Sequence, residues 1–326
     1  VKKLFWTWDI RTRWCNGFSG SAESFEGNYR ALVDAAGRYG VEGIIVWGFL
    51  RDRHGGVDSA RRVCDYAHDR GVMIIPGFGV DAYGGAFYEG DSPWSLDRYL
   101  QASPGSMAVD PDGRPLTHRW PPTDPNATHV CCPSCEGVMD YYRESIDWLM
   151  DTFDIRGVQI EQGDVGLCHC PRCIESRGKL VCGEMADFSA GARRMRPVID
   201  HALARRPDLL IVVETYAGLL AEQINRVRDD IALYPQQVVL SWQAYNAPNQ
   251  MLIDEQSRSP SSHGCMAVRT NNDCYGGEID DIRNITTALR LAKQAGLDYT
   301  YTYGEYPDTW PTTRGVYGAW AAAAEQ

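Results

Sequence analysis

Short apolar runs alternate with longer amphipathic stretches along this chain. The runs cover residues 4–9, 43–49, 72–79, 157–161, 209–216, 238–245, 265–270 and 299–305, and they are rich in Val, Ile, Trp and Tyr. Such runs read as parallel strands buried on both faces. Between them, apolar residues recur at helical spacing. Residues 25–39 carry Tyr29, Leu32, Val33 and Ala36 and stop at Gly40, and residues 57–70 stop at Gly71. Residues 136–153 carry Val138, Tyr141, Tyr142, Ile146, Leu149 and Met150, and residues 185–206 stop at Pro207. A glycine just past the periodic stretch can take the left-handed conformation that closes a helix, and a proline cannot continue one. Further helices are predicted over 219–232, 279–295 and 316–324, with a short, poorly defined one near 250–258.

Eight strands alternating with helices predict a single (β/α)8 TIM barrel over residues 1–326. A doubly wound open sheet would carry a glycine-rich phosphate turn after its first strand. Here that strand runs into Asp9-Ile10-Arg11-Thr12-Arg13-Trp14. The longest insertion, 80–133, follows the third strand, contains Pro93, Pro104, Pro111, Pro115, Pro121, Pro122 and Pro125, and is expected over the barrel mouth. The chain shows no linker and no repeat beyond the β/α alternation.

Barrel chemistry sits at the C-terminal strand ends and in the loops that follow. The first strand ends in Trp8 and Asp9, with Arg11 just beyond; the second carries Trp47; the third leads to Asp81. The fourth ends in Glu161 with Asp164 on its loop, and the fifth in Glu214 and Tyr216. The sixth carries Trp242, the seventh Arg269 and Asn271, and the eighth Tyr301 and Glu305. Side chains alternate between barrel interior and helix layer. Val158 and Ile160 belong to the helix layer, so Glu161 points inward. Glu214 interrupts an apolar run, and burying a carboxylate is costly unless it is partnered or functional.

The composition suits a carbohydrate site, with 10 Trp and 17 Tyr to stack on sugar faces. Carboxylates among aromatics are the constellation of glycosidic bond cleavage: one protonates the leaving oxygen, and another attacks or activates water. Glu161, Asp164, Glu214 and Glu305 are the candidate catalytic residues. Trp8, Asp9, Arg11, Trp47, Asp81, Tyr216, Trp242, Arg269, Asn271 and Tyr301 are the candidate substrate contacts. A structural salt-bridge network around Arg269 and Arg11 is the competing reading of the acids, and a non-catalytic glycan-binding barrel or one domain of a larger carbohydrate-processing protein is the competing reading of the chain. The net charge of −11 speaks against a nucleic-acid surface. No stretch reaches the roughly 18–20 apolar residues of a membrane span. No histidine lies in a strand run, as a metal-dependent amidohydrolase would require, and no lysine stands at the mouth for Schiff-base chemistry.

Six of the 11 cysteines fall in Cys131-Cys132-Pro133-Ser134-Cys135 and Cys168-His169-Cys170-Pro171-Arg172-Cys173. Each segment contains C-P-x-C, and two such knuckles are a signature of tetrahedral zinc. The expected ligands are Cys132, Cys135, Cys170 and Cys173, with Cys168 as a substitute for one of them. Disulfides across the same loops, or free thiols, are the alternatives. Zinc favours a cytoplasmic protein, and disulfides a secreted or periplasmic one.

The segment from Asp164 to Cys173, with its C-x-C-P-x-C loop after an acidic strand end, resembles uncharacterised bacterial barrels related to α-glucuronidases and β-hexosaminidases. The Cys-Pro-Ser opening of the third helix resembles them too, so the likeness covers about residues 130–173. It implies a glycoside hydrolase fold and carries Glu161 and Asp164 over as candidate acids. The hexosaminidase pattern has an adjacent Asp-Glu pair at this strand end, where this chain has Glu161 and Asp164 separated by two residues.

Overall fold

The computed structural model describes residues 1–9, 20–119, 127–162, 166–177, 188–214, 231–244, 264–268, 282–303 and 311–326. The chain has an α/β fold whose parallel strands curl round on themselves. They are β1 (Lys2–Thr7), β2 (Gly43–Val46), β3 (Met73–Gly79), β6 (Gly157–Glu161), β7 (Leu210–Glu214), β8 (Val239–Ala244), β9 (Gly264–Val268) and β10 (Tyr299–Tyr303). The pairing order is β1-β10-β9-β8-β7-β6-β3-β2, and β1 also pairs with β2. Each of the eight predicted apolar runs therefore contains a strand among its described residues.

Six of these strands are followed by a described helix that packs outside the sheet: α1 (Ala22–Tyr39), α2 (Gly56–His68), α4 (Met139–Thr152), α6 (Phe188–Arg205), α7 (Ile282–Gln294) and α8 (Pro311–Glu325). The helices expected over 219–232 and 250–258 fall almost wholly outside the described residues. Helix α1 begins at Ala22, ahead of its periodic stretch, because Ser21 caps it. The Ser21 hydroxyl accepts from the Ser24 N–H at 3.2 Å, and the Ser24 hydroxyl accepts from the Ser21 N–H at 3.1 Å. This reciprocal pair satisfies two donors that a helix start leaves open. The helix ends at Gly40 with φ of 62°, as its position predicts.

Strand parity divides the core in two. Phe5, Ile44, Ile74, Val158, Ile160, Ile211 and Val213 join the layer between strands and helices. Leu4, Trp6, Ile45, Trp47, Ile75, Val212 and Val239 fill the interior of the ring. Gly77 on β3 makes room for this filling, because a Cβ there would stand 2.3 Å from the Trp47 ring.

The insertion after β3 has structure of its own. It contains α3 (Leu96–Ala102) and a small antiparallel pair, β4 (Thr117–His118) with β5 (Thr128–His129). Its start is tied to β6: Val80 N–H donates to the Glu161 carbonyl at 2.8 Å. A short helix, α5 (Pro171–Arg177), opens inside the second cysteine segment. Among the described residues, no helix is long and apolar enough to cross a membrane.

Candidate active site and cysteine cluster

Strands β6 and β7 pair in register from Gly157 with Leu210 to Ile160 with Val213. The next residues along each strand are Glu161 and Glu214. Ile160 and Val213 sit in the helix layer, so alternation turns both glutamates into the ring. They are buried, with 7% and 5% of their surface exposed. The Tyr301 hydroxyl reaches across from β10 and donates to Glu214 Oε2 at 2.7 Å. A hydrogen bond of this kind is stronger to the charged than to the neutral form of a carboxyl group.

Below Glu161 lies Gln159, which is fully buried. Its Oε1 accepts from Trp6 Nε1 at 2.8 Å and from Trp47 Nε1 at 2.6 Å. Trp8 packs on Trp47, Tyr83 and Tyr88 with ring centroids 5.5, 5.0 and 5.7 Å away. Trp8 and Trp47 are thus a buried aromatic floor beneath the glutamates. Gln159 was the missed residue here. Its signal was a polar side chain at an inward position, sharing parity with Glu161.

Three expected substrate contacts have other surroundings. Trp242 is fully buried in the layer between strands and helices. Val239 faces the interior, and Trp242, three residues on, falls on the opposite face. Asp9 is fully buried in a left-handed conformation with φ of 55°. Its Oδ2 lies 3.4 Å from Arg51 Nε and 3.5 Å from His54 Nε2. Arg51 also reaches Glu89 at 3.0 Å, which ties the loops after β1 and β2 to the insertion. Burial above all holds His54 down at about 4, against the pull of the Gly48 carbonyl. Asp81 is buried, pairs with Arg194 Nε at 3.2 Å and accepts from the Tyr142 hydroxyl at 3.0 Å. Burial pushes its carboxyl above the usual range, against the pull of Arg194. Arg11, Asp164, Tyr216, Arg269, Asn271 and Glu305 lie outside the described residues.

The cysteine cluster corrects the expected ligand set. The sulfurs of Cys132, Cys168, Cys170 and Cys173 all lie within 4.8 Å of one another. Cys135 is not among them; its thiol donates to the Ser106 hydroxyl at 3.2 Å. The C-P-x-C turn closes on Cys132, with Cys135 N–H donating to the Cys132 carbonyl at 2.9 Å, and Cys168 supplies the fourth sulfur. Cys132 Sγ stands 3.7, 3.6 and 3.5 Å from the sulfurs of Cys168, Cys170 and Cys173. A disulfide needs about 2.05 Å. Four thiolates at about 2.3 Å from one zinc ion stand about 3.8 Å apart in a tetrahedron. The donor set therefore fits zinc, and Cys173 N–H donates to Cys170 Sγ at 3.4 Å within the second knuckle. Without a cation the four cannot all ionise. The hydrogen bond between Cys132 and Cys168 brings Cys168 down to about 4, while Cys132 is pushed up by that same bond and Cys173 by burial.

The fold is one that glycoside hydrolases use. Among solved structures, the chain is similar to an alpha-L-fucosidase, isoenzyme 2, from Paenibacillus thiaminolyticus, with a TM-score of 0.57 and 12% identity, covering 100% of this chain and 49% of that one. It is also similar to an alpha-amylase from Lactobacillus plantarum, with a TM-score of 0.56 and 10% identity, covering 99% and 80%. A third is the GH36 alpha-galactosidase AgaA from Geobacillus stearothermophilus, with a TM-score of 0.55 and 13% identity, covering 100% and 42%. The chain thus spans about half the length of the fucosidase and less of the galactosidase. No protein-family model and no curated protein matches it. α-Glucuronidases and β-hexosaminidases are not among these neighbours.

Proposed function

We propose that this chain is a complete (β/α)8 barrel, one domain over residues 1–326, and hydrolyses glycosidic bonds with Glu161 as general acid and Glu214 as nucleophile. The observation that carries this reading is the register of β6 and β7, which brings two inward-facing, buried glutamates to neighbouring strand ends. Adjacent strands stand about 4.8 Å apart. That is near the ~5–5.5 Å carboxyl separation of retaining enzymes and short of the ~6.5–9.5 Å of inverting ones. Tyr301 supports the division of labour, since the carboxylate it bonds is the one that must attack as an anion.

In the first step Glu161 gives its proton to the leaving oxygen while Glu214 bonds the anomeric carbon. In the second, Glu161 takes a proton from water, which displaces Glu214. Asp164 and Glu305 are further carboxylates for orientation. Trp8 and Trp47 form the floor below the sugar, and Arg11, Tyr216, Arg269 and Asn271 meet its polar groups.

Zinc held by Cys132, Cys168, Cys170 and Cys173 would be structural, because four thiolates leave no open coordination position for substrate. Its place is between the loop after β3 and the loop after β6. A reduced thiolate cluster suits a cytoplasmic protein. A panel of aryl glycosides and uronides, with the anomer of the first product read by NMR, tests the reading. Turnover with retained configuration is expected. Inversion would overturn the nucleophile assignment, and binding without turnover across the panel would return the chain to the glycan-binding class.

A further inference from the structure

A second concave site lies beside the segments that follow β3 and β6. It is a cavity of about 400 Å³, lined by Asp81 from the end of β3, by Gln162 next to Glu161, and by Arg193 and Arg194 of α6. Cys168 and Cys173 of the cluster form part of its wall. A volume of this size falls within the range of small-molecule pockets.

Its charge is opposite to that of the chain. Three arginines line it, Arg143, Arg193 and Arg194, against two carboxylates, Asp81 and Glu136, in a protein of net charge −11. Arg194 is 8% exposed. Its Nε serves Asp81, and its Nη2 serves the Cys135 carbonyl and Cys131 Sγ. Nη1 has no hydrogen-bond partner among the described residues. Asp81 spends Oδ1 on Arg194 and the Tyr142 hydroxyl, while Oδ2 is buried and accepts no hydrogen bond. Such an orphaned buried oxygen costs stability until a donor meets it.

The two loose ends ask for a ligand with two kinds of group. Arginine nitrogens recognise a carboxylate in the plane of the guanidinium. A buried carboxylate oxygen recognises a hydroxyl. We propose that this cavity binds a compact hydroxy-carboxylate, an acidic monosaccharide or aldonate, with its carboxylate on Arg193 and Arg194 and a hydroxyl on Asp81 Oδ2. This site is distinct from the glutamate mouth, and it stands whether or not the mouth cleaves glycosides. Because it shares Cys168 and Cys173 with the cluster, the bound acid also braces the loop that follows Glu161.

The test is calorimetric titration of the full chain, purified with its metal retained, using D-gluconate, D-glucuronate and the neutral D-glucose as probes. The acids should bind saturably, at least tenfold more tightly than glucose. Arg193→Gln, a change at an exposed position, should weaken the acids at least tenfold and leave the melting temperature unchanged. Asp81→Asn keeps the shape but turns an acceptor partly into a donor; it should weaken the acids too, and circular dichroism reports whether it folds. Glu161→Gln should leave binding unchanged. The proposal is overturned if no probe saturates, if glucose binds as well as the acids, or if Glu161→Gln abolishes binding that Arg193→Gln leaves intact. The last result would place the acid in the mouth.

Discussion

Tyr301 and Glu214 form one hydrogen bond across the ring at 2.7 Å, and its removal has a definite sign. The bond favours the carboxylate, so Tyr301→Phe should raise the Glu214 pKa. Hydrogen bonds to charged groups contribute about 1.5–3 kcal/mol, which corresponds to roughly one to two pKa units. The acidic limb of kcat/KM, read from a pH profile on an aryl glycoside, should move up by about that much; an unmoved limb would remove Glu214 as the titrating nucleophile. His54 gives a second residue-scale prediction. Its folded pKa is lowered from 6.5 to about 4, chiefly by burial. The unfolded chain therefore takes up the proton first as pH falls. The stability linked to this group is complete above its unfolded pKa and is lost as pH falls towards and through the folded one. Urea midpoints at pH 7 and pH 4.5 should differ less for His54→Gln than for the parent; an equal difference would show that His54 does not carry the acid sensitivity. The inward direction of Glu161 was legible from the parity of Val158 and Ile160, and Glu214 stood out as a carboxylate interrupting an apolar run. Trp242 was not, because an aromatic at a strand end fits the mouth and the helix layer equally well until its parity is fixed by Val239. Asp9 and Asp81 were legible as strand-end acids but their ion pairs were not, because the cations they serve, Arg51 and Arg194, are remote in sequence and carry no strand signal.

At the scale of elements, the cysteine cluster joins the loop after β3, which supplies Cys132, to the segment opening α5, which supplies Cys168, Cys170 and Cys173. Backbone bonds reinforce the join: Cys132 N–H donates to the Ser106 carbonyl at 2.8 Å and His169 N–H to the Val109 carbonyl at 2.7 Å. Cys170→Ser should lose tightly held zinc, while Cys135→Ser should keep about one ion per chain, as elemental analysis would read. Equal metal in both variants would mean that the ligand set is wrong. A chelator should loosen these loops, detected as faster hydrogen exchange over 128–135 and 166–175, and leave the strand core protected. The cluster was legible as two knuckles but not as a ligand set, since spacing alone could not tell Cys135 from Cys168. That choice is made by the Cys132 turn and by Ser106, which takes the Cys135 thiol.

For the whole molecule, the alternation of apolar runs with amphipathic stretches was enough to place all eight strands, because strands buried on both faces leave an unambiguous pattern. The internal order of the insertion was not legible, for its two-residue strands carry no period of their own. At 10–13% identity, the similarity to a fucosidase, an amylase and a galactosidase extends to the fold, so the chemistry must be read from Glu161 and Glu214 themselves. The most direct measurement compares turnover of the parent, Glu161→Gln and Glu214→Gln on two aryl glycosides of one sugar, one with a good leaving group and one with a poor one. The account predicts that Glu161→Gln loses at least ~10²-fold on the poor leaving group and far less on the good one, which needs little protonation, while Glu214→Gln loses activity on both. Full activity of both variants on the poor leaving group would contradict the paired-carboxylate account.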